Sequence, residues 1–106
     1  MIARVLFALV AASAVTAAQA ADIEAGKQKA SVCQGCHGED GNSKDPQFPR
    51  LAGQYPDYLL QALIDYQSGA RKNPIMAPFV QNLSRSDMEN LAAYFASRPN
   101  GLVVKP

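Results

Sequence analysis

Apolar and polar positions along this chain fall into three patterned stretches joined by two unpatterned ones. In the most regular stretch, Tyr58, Leu59, Ala62, Leu63 and Tyr66 stand at i, i+1, i+4, i+5 and i+8, one face of an α-helix. That helix follows Gln54, with Pro56 suited to its first turn and Gly69 suited to close it. A second pattern places Met88, Leu91, Ala92 and Phe95 at i, i+3, i+4 and i+7. It opens on "SRSD", where Ser84 serves as N-cap and Asp87 stands three residues on in a capping-box position, and Pro99 ends it. A third helix is predicted from Asp22 to about Gln34, capped by Asp22 and favoured by Glu24 in its first turn. Val, Ile and Thr are sparse after residue 20 and no run alternates with period two, so no sheet is expected. The pattern is that of an all-α fold with three main helices.

The first twenty residues read differently. "MIARVLFALVAASAVTAAQA" has one basic residue, Arg4, then an apolar run from Val5 to Val15, then the small residues of Ala18-Gln19-Ala20. This is the layout of a secretory signal peptide cut after Ala20. The run is shorter than the roughly 20 apolar residues of a spanning helix, so no membrane span is expected after cleavage. The expected organisation is a cleaved segment over residues 1–20 and one domain over residues 21–106. Export implies an oxidising compartment, the periplasm, where a bare cysteine pair would ordinarily become a disulfide. Without Arg4 the chain carries nine Lys and Arg against nine Asp and Glu. That balance gives no basic patch for nucleic acid or for an acidic membrane surface.

A domain this small buries a modest core and is often supplemented by a disulfide, a metal or a cofactor. Its two irregular stretches, Gly38 to Gly53 and Gly69 to Leu83, are long for the size of the domain. Loops of that length are usually functional or wrapped around something. The chemistry is concentrated just before the first of them. Both cysteines and the one histidine lie in Cys33-Gln34-Gly35-Cys36-His37, a C-x-x-C-H segment. That is the attachment signal of c-type haem. Residues three apart on a helical turn face the same way, so two thiols reach one porphyrin edge as thioethers and His37 comes under the iron as axial ligand. Gly35 leaves room for the turn. Three other uses of such a segment stand beside this one. A thioredoxin-type redox pair calls for a βαβ setting, which is missing. A zinc site calls for four ligands, and only three residues are on offer. A disulfide between residues three apart closes a very short loop and removes little chain entropy.

With "AGKQKASVCQGCHGEDGNS", "FPRLAGQYPDYLLQAL", "ARKNPIMAPFVQNLS" and "DMENLAAYFASRP" in view, the sequence resembles the class I cytochromes c. It is most similar to the small bacterial cytochromes of the c4, c5 and c553 type. The resemblance covers nearly all of residues 21–106. It implies three helices and long loops wrapped around one covalently attached haem c, with Cys33 and Cys36 as the thioether residues. It also implies a sixth iron ligand, a methionine in the loop before the last helix, and the family pattern puts it at Met76. Met88 lies on the apolar stripe of the last helix, where packing is its expected role. "FPRLAG" matches the family's proline whose carbonyl accepts from the axial histidine, followed by a leucine on the haem face, so those roles are carried to Pro49 and Leu51. The family crosses its first and last helices closely. Gly26, which costs about 1 kcal/mol against Ala in a helix, is expected there against Leu91, Tyr94 or Phe95. Arg50, Arg71, Lys72 and Asn73 could approach the propionates or the Met76 loop, or simply stand in solvent.

What this implies for function is a periplasmic one-electron carrier between respiratory or dehydrogenase donors and a terminal oxidase or reductase. It would not be an enzyme. Its partners would be redox proteins docking transiently at the haem edge, and the carrier itself would be a monomer or weak dimer. An electron-transfer subunit of a periplasmic redox enzyme is the second expectation. An open-site, ligand-binding haem protein is the third.

Overall fold

The computed structural model describes residues 2–13 and 20–100. Ala18 and Gln19 of the expected cleavage site lie outside the described residues. Residues 2–13 take no regular structure, and Ile2, Val5, Leu6, Phe7, Leu9 and Val10 are all exposed, so this apolar run adds nothing to the core.

Among the described residues the domain has five helical segments and one 3₁₀ turn: α1 (Ile23–Lys29), the turn Ala30–Val32, α2 (Gln34–His37), α3 (Pro56–Ser68), α4 (Ala77–Val80) and α5 (Arg85–Ala96). No strand occurs among the described residues. The expected caps form. The Asp22 carboxylate accepts from the Ala25 N–H at 3.1 Å. At α5, Ser84 Oγ accepts from the Asp87 N–H and Asp87 Oδ2 accepts from the Ser84 N–H, each at 3.0 Å. Pro56 sits in the first turn of α3, and Gly69 ends it at φ 83°.

The first helix departs from expectation. In place of one helix to Gln34, α1 stops at Lys29 and the chain tightens into the 3₁₀ turn, with the Cys33 N–H on the Ala30 carbonyl at 2.8 Å. Ser31 and β-branched Val32 are weaker helix formers than the Lys-Gln-Lys-Ala run before them, and i→i+3 bonding is a common way to finish a helix. The C-x-x-C-H residues therefore stand on their own short helix. The stretch from Gly69 to Leu83, expected to be irregular throughout, contains α4. Pro78 falls in its first turn, where its missing N–H costs nothing.

The core is built where α5 meets α1 and α3. Ala30, Leu59, Leu91, Ala92, Tyr94 and Phe95 form it, with Cys33, Leu51, Leu63 and Leu83 packed against it. Gly26 makes the α1–α5 crossing possible: a Cβ there would land on the Asn90 carbonyl and 2.9 Å from Tyr94 Cβ. Tyr94, one of the neighbours expected from sequence, is at that point, and the Asn90 backbone, which was not expected, comes nearer still. Asn90 also accepts from the Asp22 N–H at 2.8 Å through its side chain. Burying an apolar stripe fixes which face of α5 turns inward, but a backbone carbonyl has no signature in an apolar pattern. The first loop is drawn onto α5 at Gly41. Its φ is 84°, and a Cβ there would come 2.8 Å from Phe95 Cδ1. The Gly41 carbonyl accepts from the N–H groups of Leu51 and Ala52, at 2.8 and 3.2 Å, so this contact also sets the position of Leu51.

Candidate functional site

A cleft of about 410 Å³ opens between α2, the first loop, α3, α4 and α5. Its size is that of a small-molecule or cofactor cleft, which run about 300–1,000 Å³. All six residues singled out from sequence line it: Cys33, Cys36, His37, Pro49, Leu51 and Met76. The apolar face of α3 lines it too, through Tyr58, Leu59, Ala62, Leu63 and Tyr66. Leu91, Ala92 and Phe95 of α5 complete a largely apolar interior. Met88 is absent from the lining and lies buried behind it, 3% exposed.

His37 is the most constrained of these side chains. It is 6% exposed, and its Nδ1 lies 2.8 Å from the Pro49 carbonyl oxygen. A carbonyl only accepts, so Nδ1 carries the bonded proton, and Nε2 is the ring nitrogen whose lone pair can serve a ligand. No protein group partners Nε2, yet no buried side-chain nitrogen or oxygen among the described residues is sealed off without a partner. The lone pair therefore reaches the cleft. Phe48 meets the ring edge-on, with centroids 6.5 Å apart.

Cys33 and Cys36 are free thiols, half-buried at the cleft. Burial first, and then the neighbouring Cys36, push the Cys33 thiol above its ordinary range. A redox-active cysteine needs the opposite shift, toward thiolate. Nor do the described residues contain a group of three or more His, Cys, Asp or Glu that could hold a bare metal ion. Met76 is half-buried and stands at the N-terminal end of α4.

Polar groups enter the lining at Gln47, Arg50, Gln54, Arg71 and Asn73, while Lys72 is exposed and stays out of it. The Arg71 guanidinium lies 4.7 Å from the centre of the Tyr66 ring. Two residues that drew no attention in sequence support the site. Buried Ser43 bonds the Asp45 backbone through both its carbonyl, at 3.0 Å, and its N–H, at 3.2 Å, within the loop beside α2. Gln67 of α3 donates to carbonyls at the end of α4. Gln67 is one of several polar residues on α3, and no local pattern singles it out.

The donor set suits a covalently held haem better than any other occupant. Two thiols, one imidazole with a lone pair turned to the cleft, and one thioether meet on apolar walls. The comparisons agree with that chemistry. The sequence profile described as "Cytochrome c" matches residues 23–99. Cytochrome c4 from Pseudomonas aeruginosa is 49% identical over 79 residues, which cover 74% of this chain and 39% of that protein. Cytochrome c-554(548) from Halomonas halodenitrificans is 39% identical over 82 residues, covering 74% of this chain and 99% of its own length. The crystal structure of reduced cytochrome c4 from Pseudomonas stutzeri superposes with a TM-score of 0.72 at 45% identity, over 76% of this chain and 47% of that one. The chain thus spans about two fifths of the length of the cytochrome c4 proteins it matches, and nearly the whole of cytochrome c-554(548). Matched from α1 to the end of α5, and with the C-x-x-C-H helix inside the match, the chain belongs to the cytochrome c family and carries that family's covalently attached haem c.

Proposed function

We propose that this domain is a periplasmic one-electron carrier in which Cys33 and Cys36 hold the haem, and His37 and Met76 ligate its iron. The observation that carries the proposal is the convergence of those four side chains on one cleft, with Nδ1 of His37 committed to Pro49. When bound, haem c supplies the one-electron couple of its iron. The protein does the rest. Pro49 holds the imidazole in one orientation and raises its basicity through the Nδ1–H. Leu51 and the apolar face of α3 exclude water from the cleft. A soft Met76 thioether would favour the reduced state and, as a ligand to the iron, would leave a substrate no place on the metal.

The same reading places residues 1–20 in a cleaved signal peptide. Its support is the apolar run that takes no part in the core. No helix among the described residues is long and apolar enough to cross a membrane. Docking to donor and acceptor occurs near Cys33 and Cys36 and rests on apolar contact, since the charges balance. The partner surface is small, as suits a transient redox encounter.

A potentiometric titration of the exported protein tests the function. The expected result is a single, reversible one-electron wave, with the mature chain found in the periplasmic fraction and beginning at Ala21. An irreversible response, or turnover of a small-molecule substrate at the iron, would contradict it.

A further inference from the structure

The segment that carries Met76 is tied down on both sides by side-chain amides. At its entry, Asn73 Oδ1 accepts from the backbone N–H of Ile75 at 2.9 Å and of Met76 itself at 3.2 Å. At its exit, Gln67 reaches across from α3, and its Nε2 donates to the carbonyls of Val80 at 2.9 Å and Leu83 at 2.7 Å. Backbone N–H groups only donate and carbonyls only accept, so the chemistry itself fixes which amide atom faces which partner. Both side chains are half-buried. In this setting a lost hydrogen bond leaves backbone groups unpaired at the cleft margin.

From this we infer that Asn73 and Gln67 are positioning residues for Met76, forming a two-point clamp that keeps its thioether in the cleft. The inference rests on Met76 being the sixth ligand. Asn73 fixes the backbone of Met76 directly. Gln67 anchors the far end of α4 to α3, the helix whose Tyr66 lines the same cleft. Neither residue touches the iron in this account. Each acts by limiting how often the Met76 segment swings away, and so how often an outside ligand finds the sixth position open.

The two amides act through opposite chemistry, and this makes the test sharp. Asn73 works as an acceptor, so Asn73→Asp keeps its function and Asn73→Ala loses it. Gln67 works as a donor, so Gln67→Glu loses its function despite the matching shape. The haem-loaded protein and these three variants are compared with Met76→Ala. The readouts are the iron–thioether charge-transfer band of the ferric protein, the affinity of the ferrous protein for carbon monoxide, and amide hydrogen exchange at Ile75 and Met76. Asn73→Ala and Gln67→Glu are expected to weaken the band and raise carbon monoxide affinity roughly tenfold, the change for about 1.4 kcal/mol of lost hydrogen bonding. Asn73→Ala should also speed exchange at Ile75 and Met76, and Asn73→Asp should restore all three readouts. If Met76→Ala removes the band while Asn73→Ala and Gln67→Glu retain it with unchanged affinity, the clamp is refuted and the ligand assignment stands. If Met76→Ala leaves the band intact, the ligand assignment falls and the clamp with it. Should Asn73→Ala fail to load haem, Gln67→Glu and Asn73→Asp still decide between these results.

Discussion

The two segments that carry the proposed iron ligands are built on different principles. The Cys33–His37 segment is a single turn of helix, and three separate devices hold it: two thiols for covalent attachment, the Pro49 carbonyl on Nδ1, and a 3₁₀ turn leading in from α1. The Met76 segment has no covalent tether. It hangs between α3 and α5 on hydrogen bonds accepted by Asn73 and donated by Gln67, with Val80 of α4 buried at 2% exposure. In the proposed site, one ligand would thus be delivered by bonded geometry and the other by a network whose links are each worth only about 1 kcal/mol. Motion and ligand loss belong on the methionine side.

Damage to the histidine side should therefore be the most severe. Cys36→Ser or His37→Ala is expected to abolish normal haem-loaded protein, read as loss of covalent haem by mass and of c-type absorption. Damage to the other side should leave haem attached. Met76→Ala is expected to retain its thioether-linked haem, with a lowered reduction potential and full carbon monoxide binding in the ferrous state. If both substitutions gave the same phenotype, the contrast between the two segments would be wrong.

Smaller effects come from the clasp of α1 on α5 behind the cleft. Gly26→Ala forces a methyl onto the Asn90 carbonyl and should destabilise the fold by about 2 kcal/mol, a fall in Tm of roughly 10 °C for a domain of this size. Its haem should remain attached once loaded. Least is expected from the capping box that starts α5 just beyond the Met76 segment. The Ser84 backbone N–H, helped by the Ser84 hydroxyl and by Lys29 at 3.5 Å, holds the Asp87 carboxyl below the usual carboxylate range against some burial. A carboxyl lowered in the folded state stabilises above its ordinary pKa of about 3.9, and that contribution fades as pH falls through the lowered value. Asp87→Ala should cost about 1 kcal/mol or less at neutral pH and remove that part of the acid sensitivity, seen by comparing unfolding from pH 6 downward.

The same contrast explains what could be read before the structure. Covalent and cap chemistry depends on residue type at fixed spacing, so C-x-x-C-H, the Asp22 cap and the Ser84–Asp87 box are plain in the sequence. The apolar face of α3 is equally plain, although its role as a cleft wall as well as a core face is not. A periodic stripe says which side is buried and nothing about what buries it. The break between α1 and α2 escaped notice because a 3₁₀ turn preserves approximate helical spacing over three residues. The short α4 was hidden by Pro74 just before it and by Pro78 within it, which sits harmlessly in its first turn. Gln67 and Asn90 act on backbone groups brought in from distant parts of the chain, and local pattern does not encode those partners. Arg71 was one of four polar residues left undecided. Its place over Tyr66 in the cleft separates it from Lys72, which remains outside.

The central claim is a closed iron site, held by His37 on one segment and Met76 on the other. An absorption spectrum of the reduced, exported protein, recorded with and without carbon monoxide, tests it most directly. The expected result is a c-type spectrum that carbon monoxide leaves unchanged. A spectrum that shifts on adding carbon monoxide would show an open or labile sixth position and contradict it.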